Sequence, residues 1–426
     1  LSALPQQLAA LRTTAMTALV LAVFVVSIGY GVVLPLLPYL IERLLGIGVQ
    51  AAQVSQHTGL LTAVYTLSLF LFSPLWGRLA DRRGPHDVLL IGLIGFALTS
   101  LVFSFVESIT AVYAERALSG VFAAAVTPVA AAAVGALTTT EQARARRLTF
   151  VSMAGISGFL LGPMLGIFIT RFVAFVVTAT LPVGSIAMPL AATGILALLA
   201  ALAVGLAVPR RRYEPDNVTT AGRVINPKSL VPTLLALSFI ISTGVGVFEV
   251  GLALRGKEQL GLSHYQIAWM FTECSLVMLV MQAIVFSPRF KPAMTRWLIT
   301  PALAVLPVAL YLVPRASDFA LMLAVIGAVA ASAGVLSPIV TYWISAKAGS
   351  AQGWELGKQT AAASLGTTLG SAAGGLLFNV AALPGASFVL AAFLAVLGLV
   401  LSLKLPHELV PRQMQDSTPR TEAPPT

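Results

Sequence analysis

The chain has 426 residues, of which 58% are hydrophobic and 10% charged, with a mean hydropathy of +0.91. A water-soluble fold of that composition would expose large apolar faces, so most of its surface must meet lipid. The formal net charge of +10 does not point to nucleic acid, because the Lys and Arg sit in short clusters between apolar runs instead of on one solvated face.

Crossing about 30 Å of hydrocarbon at 1.5 Å per residue takes roughly 20 apolar residues. Runs of about that length fall near residues 15–40, 58–76, 88–107, 110–135, 147–170, 186–208, 231–254, 266–286, 295–314, 318–345, 360–382 and 384–405, which predicts twelve spans. The first is too long for a signal-peptide core and lacks a small-residue cleavage pattern, so it counts as a span. Residues 172–186 are also apolar, and Pro182, Gly184 and Pro189 mark the break between the fifth span and the sixth. The polar stretch 209–230 is the expected linker between a six-helix half at 1–208 and another at 231–405. The Pro- and Thr-rich segment 406–426 is an expected disordered tail.

Basic residues alternate with the spans. One side carries Arg12, Arg78, Arg82, Arg83, Arg144, Arg146, Arg147, the 210–228 cluster, Arg289, Lys291, Arg296, Lys347, Lys358, Lys404, Arg412 and Arg420; the other has Arg43, Arg171, Arg255, Lys257 and Arg315. A bias of about four to one in register with an even helix count places both termini in the cytoplasm.

In the first span stands Gly29-Tyr30-Gly31-Val-Val-Leu-Pro35-Leu-Leu-Pro38, with no acidic residue. After the second comes Gly77-Arg-Leu-Ala-Asp81-Arg82-Arg-Gly84-Pro-His-Asp-Val-Leu89. Gly77 and Gly84 permit tight turns and close helix approach, and Asp81 can accept hydrogen bonds from a helix N-terminus or an arginine. The bland alternative is that this segment only tightens a loop. The fourth span holds Arg116-Ala-Leu-Ser119-Gly120. An arginine inside a membrane helix costs roughly 2.5 to 3.5 kcal/mol on insertion scales, so it should face a cavity or a carboxylate such as Glu115 or Glu107, unless it snorkels to the interface. The fifth reads Gly158-Phe-Leu-Leu-Gly162-Pro163-Met-Leu-Gly166, echoed in the eleventh by Gly366, Gly370 and Gly374; Ser73-Pro74 likewise recurs as Ser287-Pro288. Small residues four apart let backbones pack closely, and Pro163 removes a backbone donor.

The 77–89 segment resembles the major facilitator superfamily signature G-x-L-a-D-r-x-G-r-k-x-x-l, with Pro85 and His86 at the next two basic positions. Arg116 to Gly120 is similar to the family's R-x-x-q-G motif. The Gly158 to Gly166 segment resembles the G-x-x-x-G-P-x-x-G-G pattern of its twelve-helix drug and proton antiporters, with Ile167 at the last glycine. The resemblance implies an all-α integral membrane protein with the major facilitator fold: 12 transmembrane helices in two six-helix halves, a substrate site at their interface, and residence in a bacterial cytoplasmic (inner) membrane as a monomer. It makes Gly77, Asp81, Arg82 and Gly84 a conformational latch joining the inner ends of the halves.

Two carboxylates stand inside apolar spans, Glu249 in the seventh and Glu273 in the eighth. At 1.5 Å per residue they lie about 8 and 10 Å from the outer ends of their helices. A carboxyl in apolar surroundings resists ionisation and can take up and release protons as access alternates, so both are candidate proton-coupling residues; the alternative is an acceptor paired with Tyr265, Gln282 or Arg255. Tyr30, Tyr65, Phe248, Trp269, Met270, Gln282 and Asn379 are candidate cavity residues, since aromatic and Met side chains suit an amphipathic ligand, with packing or lipid contact as the alternative for most.

A single cysteine, Cys274, excludes an internal disulfide, and His57, His86, His264 and His407 lack metal-ligand spacing, so no metal or cofactor is expected. No Ser/His/Asp, zinc or phosphate-loop arrangement suggests an enzyme. The expected activity is proton-coupled efflux of a small organic compound, such as a drug or secreted metabolite, driven by the proton gradient. The alternative is a proton-coupled uptake symporter for a small metabolite.

Overall fold

The computed structural model describes residues 3–46, 48–105, 108–136, 141–177, 187–210, 230–287, 290–347, 352–380 and 385–409. Every regular element among them is helical. Most of the expected linker at 209–230, residues 211–229, and most of the expected tail, residues 410–426, lie outside the described residues, whereas Leu405–Glu408 forms a short helix, α15.

Helix α1 (Ala3–Val33) gives way at Pro35 to a 3-10 turn, Leu34–Leu36, and resumes as α2 (Leu37–Leu45). Proline lacks the N–H that would continue the ladder, so the break falls where the sequence places Pro35 and Pro38. Helix α3 (Ala51–Arg83) has 33 residues, about 50 Å at 1.5 Å per residue, and so outreaches the hydrocarbon core. The 77–84 segment is therefore not a loop, as the sequence reading had it. Gly77 to Arg83 are the last two turns of α3, and only Gly84 leaves the helix, at φ +95°, before Pro85 opens α4 (Pro85–Phe103). A positive φ is cheap only for glycine.

The chain continues through α5 (Ile109–Ala123), α6 (Thr127–Ala136), α7 (Glu141–Val177), α8 (Ala187–Ala207) and α9 (Leu230–Leu254), which runs on into a π turn, Arg255–Gln259. Then follow α10 (His264–Val285), α11 (Ile299–Leu312), α12 (Phe319–Lys347), α13 (Gln352–Leu376) and α14 (Ala386–Ser402). Among the described residues, 8 helices are long and apolar enough to cross a membrane, and Trp269–Val285 and Ala386–Ser402 are shorter apolar ones. Large apolar side chains on α8 and α14, including Leu199, Leu202, Phe393 and Val400, face outward, as lipid contact requires.

Helix α13 is not strongly apolar. It is built from Gly, Ala, Ser and Thr because it lies between α3 and α9 and meets little lipid. Its antiparallel seam with α3 runs the full height of the protein: Gly375 lies against Ser55 and Gly59, Thr66 Oγ1 and Thr368 Oγ1 are 2.9 Å apart, and Gly357 and Gly353 lie against Ser73 and Gly77. Three threonine hydroxyls of α3 are satisfied locally, with Thr58, Thr62 and Thr66 each donating to the carbonyl four residues back.

The glycine echo is a structural repeat. Gly158 and Gly162 of α7 pack on the α1 backbone at Phe24 and Gly31, and Gly366 and Gly370 of α13 pack on the α9 backbone at Phe239 and Thr243. Pro163 and Gly166 lie within α7.

A Cβ at Gly59 would sit 2.7 Å from the Ser371 carbonyl oxygen and 2.8 Å from the Gly375 Cα, both backbone atoms that cannot step aside. Gly59→Val should therefore lower stability by about 1–3 kcal/mol and depress transport by splaying the seam. Gly205→Ala, whose nearest neighbour would be a Leu90 methyl at 3.8 Å, should leave both the melting temperature and transport unchanged.

Candidate functional site

A cavity of about 420 Å³ lies between the α1–α8 and α9–α14 helices, with walls from α1, α3, α6, α7, α9, α10, α12 and α13. Aromatic rings dominate its centre. Tyr30 of α1 is stacked between Tyr65 of α3, at 5.2 Å between centroids, and Phe159 of α7, at 5.7 Å; Phe159 meets Phe271 of α10 edge-on at 5.9 Å. Phe248, Cys274 and Met278 add further apolar wall, while Ser27, Ser337, Thr341 and Gln359 supply scattered hydrogen-bonding groups. Glu249 is the one carboxylate among the described lining residues, and no Lys, Arg or His is found there.

The Tyr30 hydroxyl donates to Glu249 Oε2 at 2.7 Å, joining α1 to α9 across the cavity. Behind Tyr65 the polar chain continues. The Arg116 guanidinium lies over the Tyr65 ring, 5.4 Å from its centroid. Arg116 donates through Nε and Nη2 to both oxygens of Glu115, at 2.5 and 2.9 Å, and both side chains are buried. Arg116 thus neither snorkels nor stands alone, and Glu107 lies outside the described residues. A two-pronged guanidinium–carboxylate pair is the arrangement that makes a buried charge tolerable.

The other candidates divide. Tyr30, Tyr65 and Phe248 line the cavity. Trp269 is 61% exposed on the outer face of α10, and Met270 is packed into the core. Gln282 is fully buried with neither its Oε1 nor its Nε2 hydrogen bonded, and it stands outside the lining. Asn379 sits at the end of the seam, donating to Ser55 Oγ and Glu258 Oε2. Glu273 turns toward Gly327 of α12, and its Oε2 is buried without a hydrogen-bond partner. Similar depth does not make Glu249 and Glu273 equivalent, because Glu249 is among the described lining residues of the cavity and Glu273 is not.

The two helix sets also touch on either side of the cavity. On the arginine-rich side, Asp81 accepts from the Gly353 and Trp354 N–H groups at 2.9 and 2.8 Å. A side chain of α3 thereby caps α13, and its charge lies against the positive end of that helix. Arg78 lies over the Trp354 ring, Arg82 is exposed, and Arg144 donates to the Ser345 carbonyl at 3.4 Å. On the opposite side, Lys257 pairs with Glu42 and lies over the Tyr39 ring, whose hydroxyl donates to the Leu262 carbonyl.

The lining that the sequence reading missed, Ser27, Phe159, Phe271, Ser337 and Gln359, had one usable signal: isolated polar or aromatic residues inside apolar runs. Gln359 falls one residue before the apolar run of the eleventh span, whereas α13 starts at Gln352.

Removing one partner of the Glu115–Arg116 pair leaves a buried charge uncompensated. Glu115→Gln should lower stability by about 3–5 kcal/mol, read as thermal unfolding of the purified protein, and the double change to Gln at both positions should be milder than that single change.

The model of the Major Facilitator Superfamily matches residues 19–355. Multidrug resistance protein 2 of Bacillus subtilis is 27% identical over 394 residues, covering 89% of this chain and 92% of the relative. Quinolone resistance protein NorA of Staphylococcus aureus is 25% identical over 366 residues, covering 84% and 88%. In fold, the chain is similar to the human organic anion transporter MFSD10 (TETRAN), with a TM-score of 0.75 at 20% identity over 92% of this chain and 99% of that one. It is also similar to the transporter FucP in its outward conformation, with a TM-score of 0.65 at 14% identity over 91% and 97%. With the family model matching most of its length, the chain belongs to the Major Facilitator Superfamily.

Proposed function

We propose that the protein exports small amphipathic organic cations in exchange for protons. The observation that carries this reading is Glu249: a lone carboxylate among the described lining, held by Tyr30 in a chamber of aromatic and aliphatic carbon. Ionised, it attracts a cation strongly because little water screens it there; protonated, it does not. Substrate and proton therefore compete for one group, which is the requirement for exchange. In each cycle Glu249 takes a proton from the acidic outer side as substrate leaves, and gives it up inside as the next substrate binds. Glu273, outside the lining, is not the exchanging group in this reading.

The names of the relatives, multidrug and quinolone resistance proteins, support efflux as the direction. The organic anion carrier shares the fold, but a cavity with Glu249 as its charged group favours the opposite charge. Twelve spans follow if α7 and α13 are added to the eight long and two shorter apolar helices. The halves are then 1–208 and 231–405, with both termini on the cytoplasmic side of a bacterial inner membrane, where the arginine-rich ends lie. The protein works as a monomer, and Asp81 with Gly77, Arg82 and Gly84 holds the cytoplasmic end closed.

Everted vesicles with an acid interior test the central point. Wild-type protein should accumulate a lipophilic cation and stop when the gradient is collapsed. Glu249→Gln should reduce accumulation to the uncoupled background, and Glu273→Gln should keep most of it. Unchanged gradient-driven accumulation in Glu249→Gln would sink the proposal.

A further inference from the structure

A second cavity, of about 370 Å³, lies on the arginine-poor side, where the π turn after α9, the α11–α12 connection and the start of α14 meet. Arg255 and Arg315 both line it, together with Gln259, Ser387, Phe378 and Phe388. Basic residues are scarce on this side of the molecule, yet two from distant connections converge on one small space.

Neither arginine is spent. Arg255 donates to Gln259 Oε1 and to the Ala316 carbonyl at 2.7 Å, which fixes its plane, while its Nε is buried without a partner. Arg315 donates to the Tyr311 carbonyl at 2.8 Å and rests on the Tyr311 ring. Among the described residues no carboxylate lines the cavity, and neither guanidinium is ion-paired. Asp318, the nearest acid in sequence to Arg315, is used elsewhere, capping α12 through the Leu321 N–H at 2.8 Å. Two like charges facing one cavity repel unless an anion sits between them. Forked guanidinium donors match the oxygens of a phosphate group.

We propose that this cavity binds a phosphate group, supplied by the headgroup of an anionic phospholipid. The lipid source is favoured because the cavity adjoins outward apolar faces: Tyr311 and Leu312 of α11 and Val389 and Phe393 of α14 are all at least 41% exposed, and these two helices pack together. Acyl chains lie along that face while the phosphate reaches Arg255 and Arg315, with Gln259 and Ser387 beside it. The site is separate from the central cavity and shares no lining residue with it.

The test uses the delipidated full chain in phosphate-free maltoside micelles, with melting followed by tryptophan fluorescence while phosphatidylglycerol or inorganic phosphate is titrated. Phosphatidylglycerol should raise the melting temperature by a saturable few degrees. Arg315→Gln should shift the half-saturating lipid fraction by about tenfold, as loss of a charge-assisted hydrogen bond implies. Arg315 is exposed, so this variant should melt close to wild type in the micelles before any ligand is added. Equal stabilisation by millimolar inorganic phosphate would keep the phosphate site and reassign its occupant to a soluble ion. No response of wild type to either ligand, or a phosphatidylglycerol response unchanged in both Arg315→Gln and the Arg255→Gln, Arg315→Gln double variant, would overturn the proposal.

Discussion

The close approach of α3 and α13 is the constraint on which the other features rest. Two helices can come within backbone contact along a long seam only if the residues there are small, and Gly59, Gly77, Gly353, Gly357 and Gly375 meet that demand. The seam brings the first helix set against the second, so the rings of α1 and α3 face Glu249 of α9. It also delivers Asp81 to the first turn of α13, where two backbone N–H groups that lack intrahelical partners await an acceptor. A side chain on one helix thus completes another helix, and separating the two leaves both a carboxylate and a helix end unsatisfied. Water at the membrane surface can replace those bonds, which makes the contact reversible.

At the centre the problem is the reverse, since water is scarce and each polar group must find a protein partner. The solution is a file of contacts, Glu115 to Arg116, Arg116 over Tyr65, Tyr65 on Tyr30, and Tyr30 to Glu249. Its first link is a closed ion pair and its last is a single hydrogen bond. Glu249 is therefore the member of the file most open to a change of partner, and among the file's charged groups it is the one that lines the cavity. On this account the file orients the carboxylate and the surrounding carbon makes its charge costly, so that a cationic substrate and a proton each relieve the same cost.

Much of this was legible in the residues because lipid imposes blunt rules. Apolar runs of membrane length located most of the helices, and the Gly158 and Gly366 series marked the two seams that repeat, α7 on α1 and α13 on α9. What stayed hidden was azimuth. Spacing along a helix gives depth, so Glu249 and Glu273 looked alike, but the side each faces depends on how α9 and α10 are rotated by their neighbours. Asp81 shows a second limit: a cap donated across helices leaves no local spacing to read, and α13 began eight residues earlier than its apolar run because its first turns are polar. The Arg255 and Arg315 cavity was illegible for the same reason, being assembled from segments some sixty residues apart.

The claim that Asp81 holds the arginine-rich end closed is tested most directly by a distance. Spin labels at Arg83, at the end of α3, and Lys347, at the end of α12, in a background lacking Cys274, report the separation of the two helix sets at that end. The account predicts a predominantly short distance for the wild-type sequence and a shift of population to a longer one in Asp81→Ala. An unchanged distribution in Asp81→Ala, with transport intact, would contradict it.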